Sequence, residues 1–254
     1  MKIWCQSCGS FGQDPVWDDY EQCLNKRAKE VARPDTYIEL HGLDAPVPAI
    51  DTYNASRNMC TIQSTRNAIR AEREGFDAFV MISLIDAGFY EIREVTDLPV
   101  VFMLENCIHF ALMLAPKFSF LTHNKSLLLR MTELTNQYGL DKNLIPGGYL
   151  DLSYSVWPDM YKHPEHHVDK IVQKAKELIA NGAGIIIPSA LPLDVWLVQQ
   201  GLTEIDGACV LDAFGCAIKM AELMVDLKKV GISRSKVGPP SKEMLENIQK
   251  LYIP

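Results

Sequence analysis

The chain has 254 residues, 48% of them hydrophobic, enough to bury a substantial core in one large domain or two small ones. A formal net charge of -7 disfavours a nucleic-acid role, because nothing offsets phosphate repulsion. No apolar run approaches the roughly 20 residues of a membrane span. No signal-peptide core follows Met1, so a cytoplasmic protein without a membrane partner is expected.

The first strand is predicted at 2–6 and runs into "IWCQSCGSFG" (3–12). A Trp before Cys-x-x-Cys is a pattern that redox enzymes use. Here it follows no strand and helix, and Gly9 to Gly12 cannot start a helix at once. No second ligand pair completes a zinc site. Further strands are predicted at 36–41, 78–82, 100–103, 118–122, 144–150, 184–187 and 208–211. Helical patterns fall at 20–31, 64–74, 126–138, 168–181 and 212–229. Alternation of this kind implies βαβ units and parallel sheets covered on both faces. The connection 41–58 is long and rich in turn formers, as binding loops often are, and its Arg57 is a candidate for a substrate anion. "YKHPEHH" (161–167) holds three His and a Glu but reads as a solvated first turn rather than a metal site. The tail "GPPSKEMLENIQKLYIP" reads as an amphipathic helix after a Pro-Pro break. It is suited to packing on a second copy, so a homo-oligomer is expected. The seven cysteines are scattered, as reduced thiols would be.

The chain echoes itself. "AEREGFDAFVMIS" (71–83) and "ELIANGAGIIIPS" (177–189) each give a helix end, a Gly stop, a strand and a Ser at the strand's tip. The following units match too, with Glu105 set against Asp212 at a helix start. The expected fold is therefore α/β, with two pseudo-symmetric Rossmann-like lobes of mainly parallel four-stranded sheets. They span 1–104 and 105–230, with a tail at 231–254 and the last helical region able to return to the first lobe. In such sheets ligands bind beyond the carboxyl ends of the strands. The tips supply Gln6, Ser7, Ser83, Asp86, Thr122, His123, Asn124, Ser189 and Asp212, a set with no Lys or Arg. The Ser, Thr and Asp residues among them are also natural helix caps.

"GFDAFVMISLIDAGFYEIREVTDLPVVFMLEN", "FSFLTHN", "GAGIIIPSALP" and "VLDAFGCAIKMAE" together resemble the aspartate/glutamate/hydantoin racemase superfamily. The resemblance implies a small-molecule substrate between the lobes and cofactor-independent proton transfer at the carbon beside its carboxylate. It also implies two cysteines, one per lobe, as base and acid, and here those positions fall on Ser83 and Ser189. A Ser hydroxyl is too weak an acid to serve alone as an α-proton base. Relatives with one cysteine decarboxylate malonates and others isomerise maleate. Asp86 matches the family's acidic position, or else caps the "AGFYEIRE" helix. His123 has a suitable chemistry, and Cys107 and the Cys5/Cys8 pair are secondary candidates. The catalytic set is thus Ser83, Ser189, Asp86 and His123, and the substrate-binding set Gln6, Ser7, Thr122, Asn124, Asp212 and Arg57. The expected enzyme acts on a small carboxylate, or a cyclic imide or hydantoin-like compound, through an enolate. Decarboxylation, hydrolysis through Ser83 or Ser189, and non-catalytic binding are the alternatives.

Overall fold

Runs of four or five apolar residues buried on both faces become central strands of two sheets. The computed structural model describes residues 1–12, 14–235 and 241–253. Sheet A holds β1 (Lys2–Gln6), β2 (Tyr37–His41), β3 (Ala78–Met81) and β4 (Val100–Phe102), all parallel in the order β2-β1-β3-β4. Sheet B holds β5 (Phe118–Thr122), β6 (Gly148–Tyr149), β7 (Ile185–Ser189), β8 (Glu204–Ile205) and β9 (Ala208–Val210) in the order β6-β5-β7-β9-β8. Strand β8 runs antiparallel to β9, so this sheet has one strand beyond the expected four. The extra strand comes from a two-residue turn, Asp206-Gly207, with φ of 48° and 83°, a hairpin geometry that Asp-Gly adopts readily.

The helices of the first half are α1 (Asp18–Val31), α2 (Asn54–Arg73), α3 (Glu91–Val95) and α4 (Met103–Leu114). Those that follow are α5 (Lys125–Gln137), α6 (Trp157–Lys162), α7 (Val168–Ala180), α8 (Leu191–Gln199), α9 (Ala213–Lys229) and α10 (Lys242–Tyr252). Two of them cross between the sheets. Helix α4 leaves sheet A and packs on β7, while α9 leaves sheet B and packs on β3, β4 and α4. One apolar cluster therefore runs from Trp4 and Phe79 through Phe102 and Phe214 to Phe118 and Ile187. Burying each such aromatic contributes about 1.5–3 kcal/mol, and the shared core fixes how the two sets of strand tips face each other. Pro239 and Pro240 lie outside the described residues. Helix α10 lies on its own chain, against α2 and α3. There Arg66 Nε donates to the Tyr252 carbonyl at 2.9 Å, and Gln249 Nε2 to the Val95 carbonyl at 2.7 Å. No helix among the described residues is long and apolar enough to cross a membrane.

Candidate active site

At the tip of β1 the Gln6 side chain is fully occupied within sheet A. Its amide donates to the Ser7 and Gly42 carbonyls at 2.8 and 2.9 Å, and its oxygen accepts from Trp4 Nε1 and Asn67 Nδ2. Ser7 Oγ accepts from Gly9 N–H at 3.0 Å. Both residues, expected to bind substrate, hold the β1 loop in shape through these bonds. The loop delivers Cys8, which is 5% exposed, with its Sγ 2.8 Å from that of Cys60 on α2. Burial first, then Cys60, push the Cys8 thiol well above its ordinary range, and a hydrogen bond with Ser83 works the other way. Ser83 itself is half-buried just past β3.

On sheet B, Thr122 and Ser189 are register partners at the tips of β5 and β7, and His123 follows immediately. Thr122 Oγ1 donates to the Asn124 carbonyl at 2.7 Å. Asn124 caps α5, accepting from Leu127 N–H at 2.9 Å. These two are local caps. His123 is 1% exposed, and its Nε2 lies 3.4 Å from Asp51 Oδ2. Asn124 Nδ2 donates to the same oxygen at 2.5 Å. The His123 hydrogen bond, ahead of that of Asn124, holds the Asp51 carboxyl down at about 2, so it is ionised. His123 Nε2 also lies 2.8 Å from Asn124 Nδ2, and in the tautomer that carries its hydrogen on Nε2, toward Asp51, the Nδ1 lone pair is left free. Neither that Nδ1 nor the buried Ser189 Oγ has a hydrogen-bond partner among the described residues. Tyr154 flanks the group: the residue is 54% exposed, its ring is 6.1 Å from His123, and desolvation of the hydroxyl, then the Asp51 charge, push it up to about 12.

Three expected residues have other work. Asp86 is buried with φ +43°, and both its oxygens are engaged. Oδ1 accepts from Leu104 N–H, and Oδ2 from Glu105 N–H and the Tyr138 hydroxyl, at 2.7 to 2.9 Å. It caps α4 rather than the helix directly after it, and three donors engage its carboxylate. Burial nevertheless pushes its carboxyl up to about 7. Asp212 caps α9 through Gly215 N–H at 2.8 Å and pairs with Arg27 at 2.6 Å. Arg57 donates to Asn54 Oδ1 and the Ile50 carbonyl, and lines an open depression of about 210 Å³ that includes neither His123 nor Ser189. Cys107 is buried against the Ala213 carbonyl, and burial raises its thiol. His163 and His166 sit by Glu165, and His167 by Asp159. Among the described residues no His, Cys, Asp and Glu side chains gather as metal ligands would.

Residues 18–190 match the model of the Asp/Glu/Hydantoin racemase family. The chain belongs to the Asp/Glu/hydantoin racemase family. It is 29% identical to the hydantoin racemase of Pseudomonas sp. (strain NS671) over 229 residues, 87% of each chain. It is 28% identical to that of Paenarthrobacter aurescens over 184 residues, 71% of this chain and 75% of the relative. Its fold superposes on allantoin racemase from Klebsiella pneumoniae with a TM-score of 0.80 and 23% identity, covering 95% and 94% of the two chains. The site of this racemase-family chain also contains residues that reading the sequence did not single out. Asp51 comes from the connection between β2 and α2, which is shorter than the expected 41–58 because α2 begins at Asn54; its length was the visible signal. Cys60 and Tyr154 carried none, since nothing local marks which face of a helix or loop meets a distant strand tip.

Proposed function

We propose that this protein is a cofactor-independent racemase of a five-membered cyclic ureide, a 5-substituted hydantoin or close analogue. The observation that carries the reading is His123: a buried imidazole 3.4 Å from Asp51 with an unpartnered Nδ1, following Thr122, the register partner of Ser189, whose buried hydroxyl is also unpartnered. The C5–H of such a ring is acidified by the adjacent carbonyl. His123 Nδ1 takes that proton, the C–H electron pair moves onto the carbonyl oxygen, and Ser189 Oγ–H donates to the resulting enolate. Reprotonation on the other face inverts the centre. A neutral ring suits this lining better than a free amino acid. Asp51, Asp86 and Asp194 surround the tips, while the nearby cations Arg27 and Arg93 are committed to Asp212 and Glu105. The names of the curated relatives support the same substrate class.

Ser189, His123 and Asp51 are also the residue types of an acyl-transfer centre, which would open the ring. The lack of a hydrogen bond between Ser189 and His123 favours proton transfer instead. Circular dichroism of single enantiomers of 5-substituted hydantoins, amino acids and arylmalonates separates the readings. Decay of the hydantoin signal with intact ring supports racemisation. A ring-opened acid supports hydrolysis, and binding without change in any substrate defeats both.

A further inference from the structure

We propose that Cys8 is the second proton-transfer group of this site, acting on the substrate face opposite His123, with Ser83 and Cys60 as its positioning residues; the inference rests on the racemase reading above. Racemisation needs a donor on the far face, and Ser83 alone is too weak an acid to be it. The thiol next to Ser83 is Cys8, and the fold holds it tightly. Strands β1 and β3 are neighbours, paired Gln6 to Met81, and Ile82 N–H continues the ladder to the Gln6 carbonyl, which brings the two tips together. Ser7 N–H donates to the His41 carbonyl at 2.8 Å, and Leu43 N–H to the Gly9 carbonyl at 2.9 Å, one on each side of Cys8. Gly42 packs so closely on this loop that an added Cβ would stand 2.7 Å from Phe11 N and 2.8 Å from the Gly9 oxygen. Cys60 Sγ–H then donates to Cys8 Sγ at 2.8 Å, from a helix face that also presents Ser64.

Sheet A thus offers a thiol where sheet B offers an imidazole. The connection that carries Asp51 to His123 is tied to the Cys8 loop through the Leu43 N–H to Gly9 carbonyl bond, which links the two sides. The enclosure that raises the Cys8 thiol keeps it protonated, the state a donor needs. The step balances. The enolate electron pair forms the new C5–H bond with the thiol proton, and the S–H pair stays on sulfur as thiolate. Turnover closes when the thiolate regains a proton from water and His123 loses one to it. In the reverse direction the thiolate is the base and protonated His123 the acid.

The test incubates each enantiomer of a 5-substituted hydantoin separately in heavy water, following loss of the C5 proton by NMR and loss of optical activity by circular dichroism. Wild type, Cys8→Ser, Cys8→Ala and Cys209→Ser are compared after their melting curves are matched. Cys8→Ser and Cys8→Ala should racemise at least about 100-fold more slowly, while the enantiomer whose C5–H faces His123 still exchanges with retention. Cys209→Ser should behave as wild type. Racemisation by both Cys8 variants within about threefold of wild type overturns the role of Cys8 while leaving the racemase reading intact. Failure of the wild type to exchange either enantiomer sinks that reading, and this one with it. Should the Cys8 variants not fold, Ser83→Ala removes a donor to the thiolate and must move the alkaline limb of the pH–rate profile upward. An unmoved limb contradicts the proposal.

Discussion

Asp86 and Asp194 hold equivalent places in the two lobes. Each buried carboxylate bridges the two N–H groups that open a crossing helix, Leu104 and Glu105 of α4 for Asp86, Ala213 and Phe214 of α9 for Asp194, all four at 2.9 Å. A carboxylate is well suited to the positive end of a helix. Since α4 and α9 carry the contact between the sheets, the two aspartates act on how the lobes sit together. At pH 5, Asp86→Asn and Asp194→Asn should each cost roughly 1–3 kcal/mol, because the amide nitrogen that replaces one oxygen donates and cannot accept the second N–H. Chemical denaturation measures this, and a variant as stable as wild type contradicts the assignment.

That cost should depend on pH at Asp86. Its folded-state value of about 7 stands above the ordinary 3.8, so the stability it contributes is present below about 3.8 and lost as pH rises through about 7. Asn does not titrate. The destabilisation by Asp86→Asn should therefore shrink between pH 4 and pH 8, by an amount on the order of a few kcal/mol. Paired unfolding curves across that range check it. A cost that stays constant or grows with pH is the opposite outcome.

The same aspartates show where reading the sequence reached its limit. The repeat was legible, because helix end, Gly, strand and Ser recur in order at 71–83 and 177–189. Its register was not. The Asp86 and Asp194 bonds equate Leu104 with Ala213, so Glu105 answers to Phe214 and not to Asp212. The first turns of α2, before residue 64, escaped notice because only Cys60 and Gln63 are buried there, too few to show an apolar period. Helix α8 is buried nearly all round and has no amphipathic period to detect. His123 and Ser189 were visible as strand tips, but Asp51 joins them only through the fold.

Within the site, His123→Asn should lower racemisation by roughly 10²–10⁴-fold without a matching loss of stability. Asp51→Asn leaves the imidazole in place but removes the ionised acceptor of its Nε2–H, and should act in the same direction with smaller effect. Initial rates from circular dichroism, set beside melting temperatures, separate chemistry from folding. An Asp51→Asn enzyme with wild-type kcat speaks against the pair.

Ser189→Ala deletes the buried hydroxyl assigned to the enolate oxygen. Loss of one such donor should reduce kcat by about 10²–10³-fold with little change in KM. A rise in KM at constant kcat means that Ser189 only anchors the substrate, and complete loss with ring opening in wild type means that it is a nucleophile.

The most direct test follows the carbon-bound proton itself. One pure enantiomer of a 5-substituted hydantoin is incubated with enzyme in heavy water, and the early product is separated by chirality and weighed. Two groups on opposite faces predict that the inverted product carries deuterium at C5 from the first turnovers, while the remaining substrate is still largely protiated. Inverted product that retains its original hydrogen, or a ring-opened acid formed without exchange, contradicts proton transfer across this cleft.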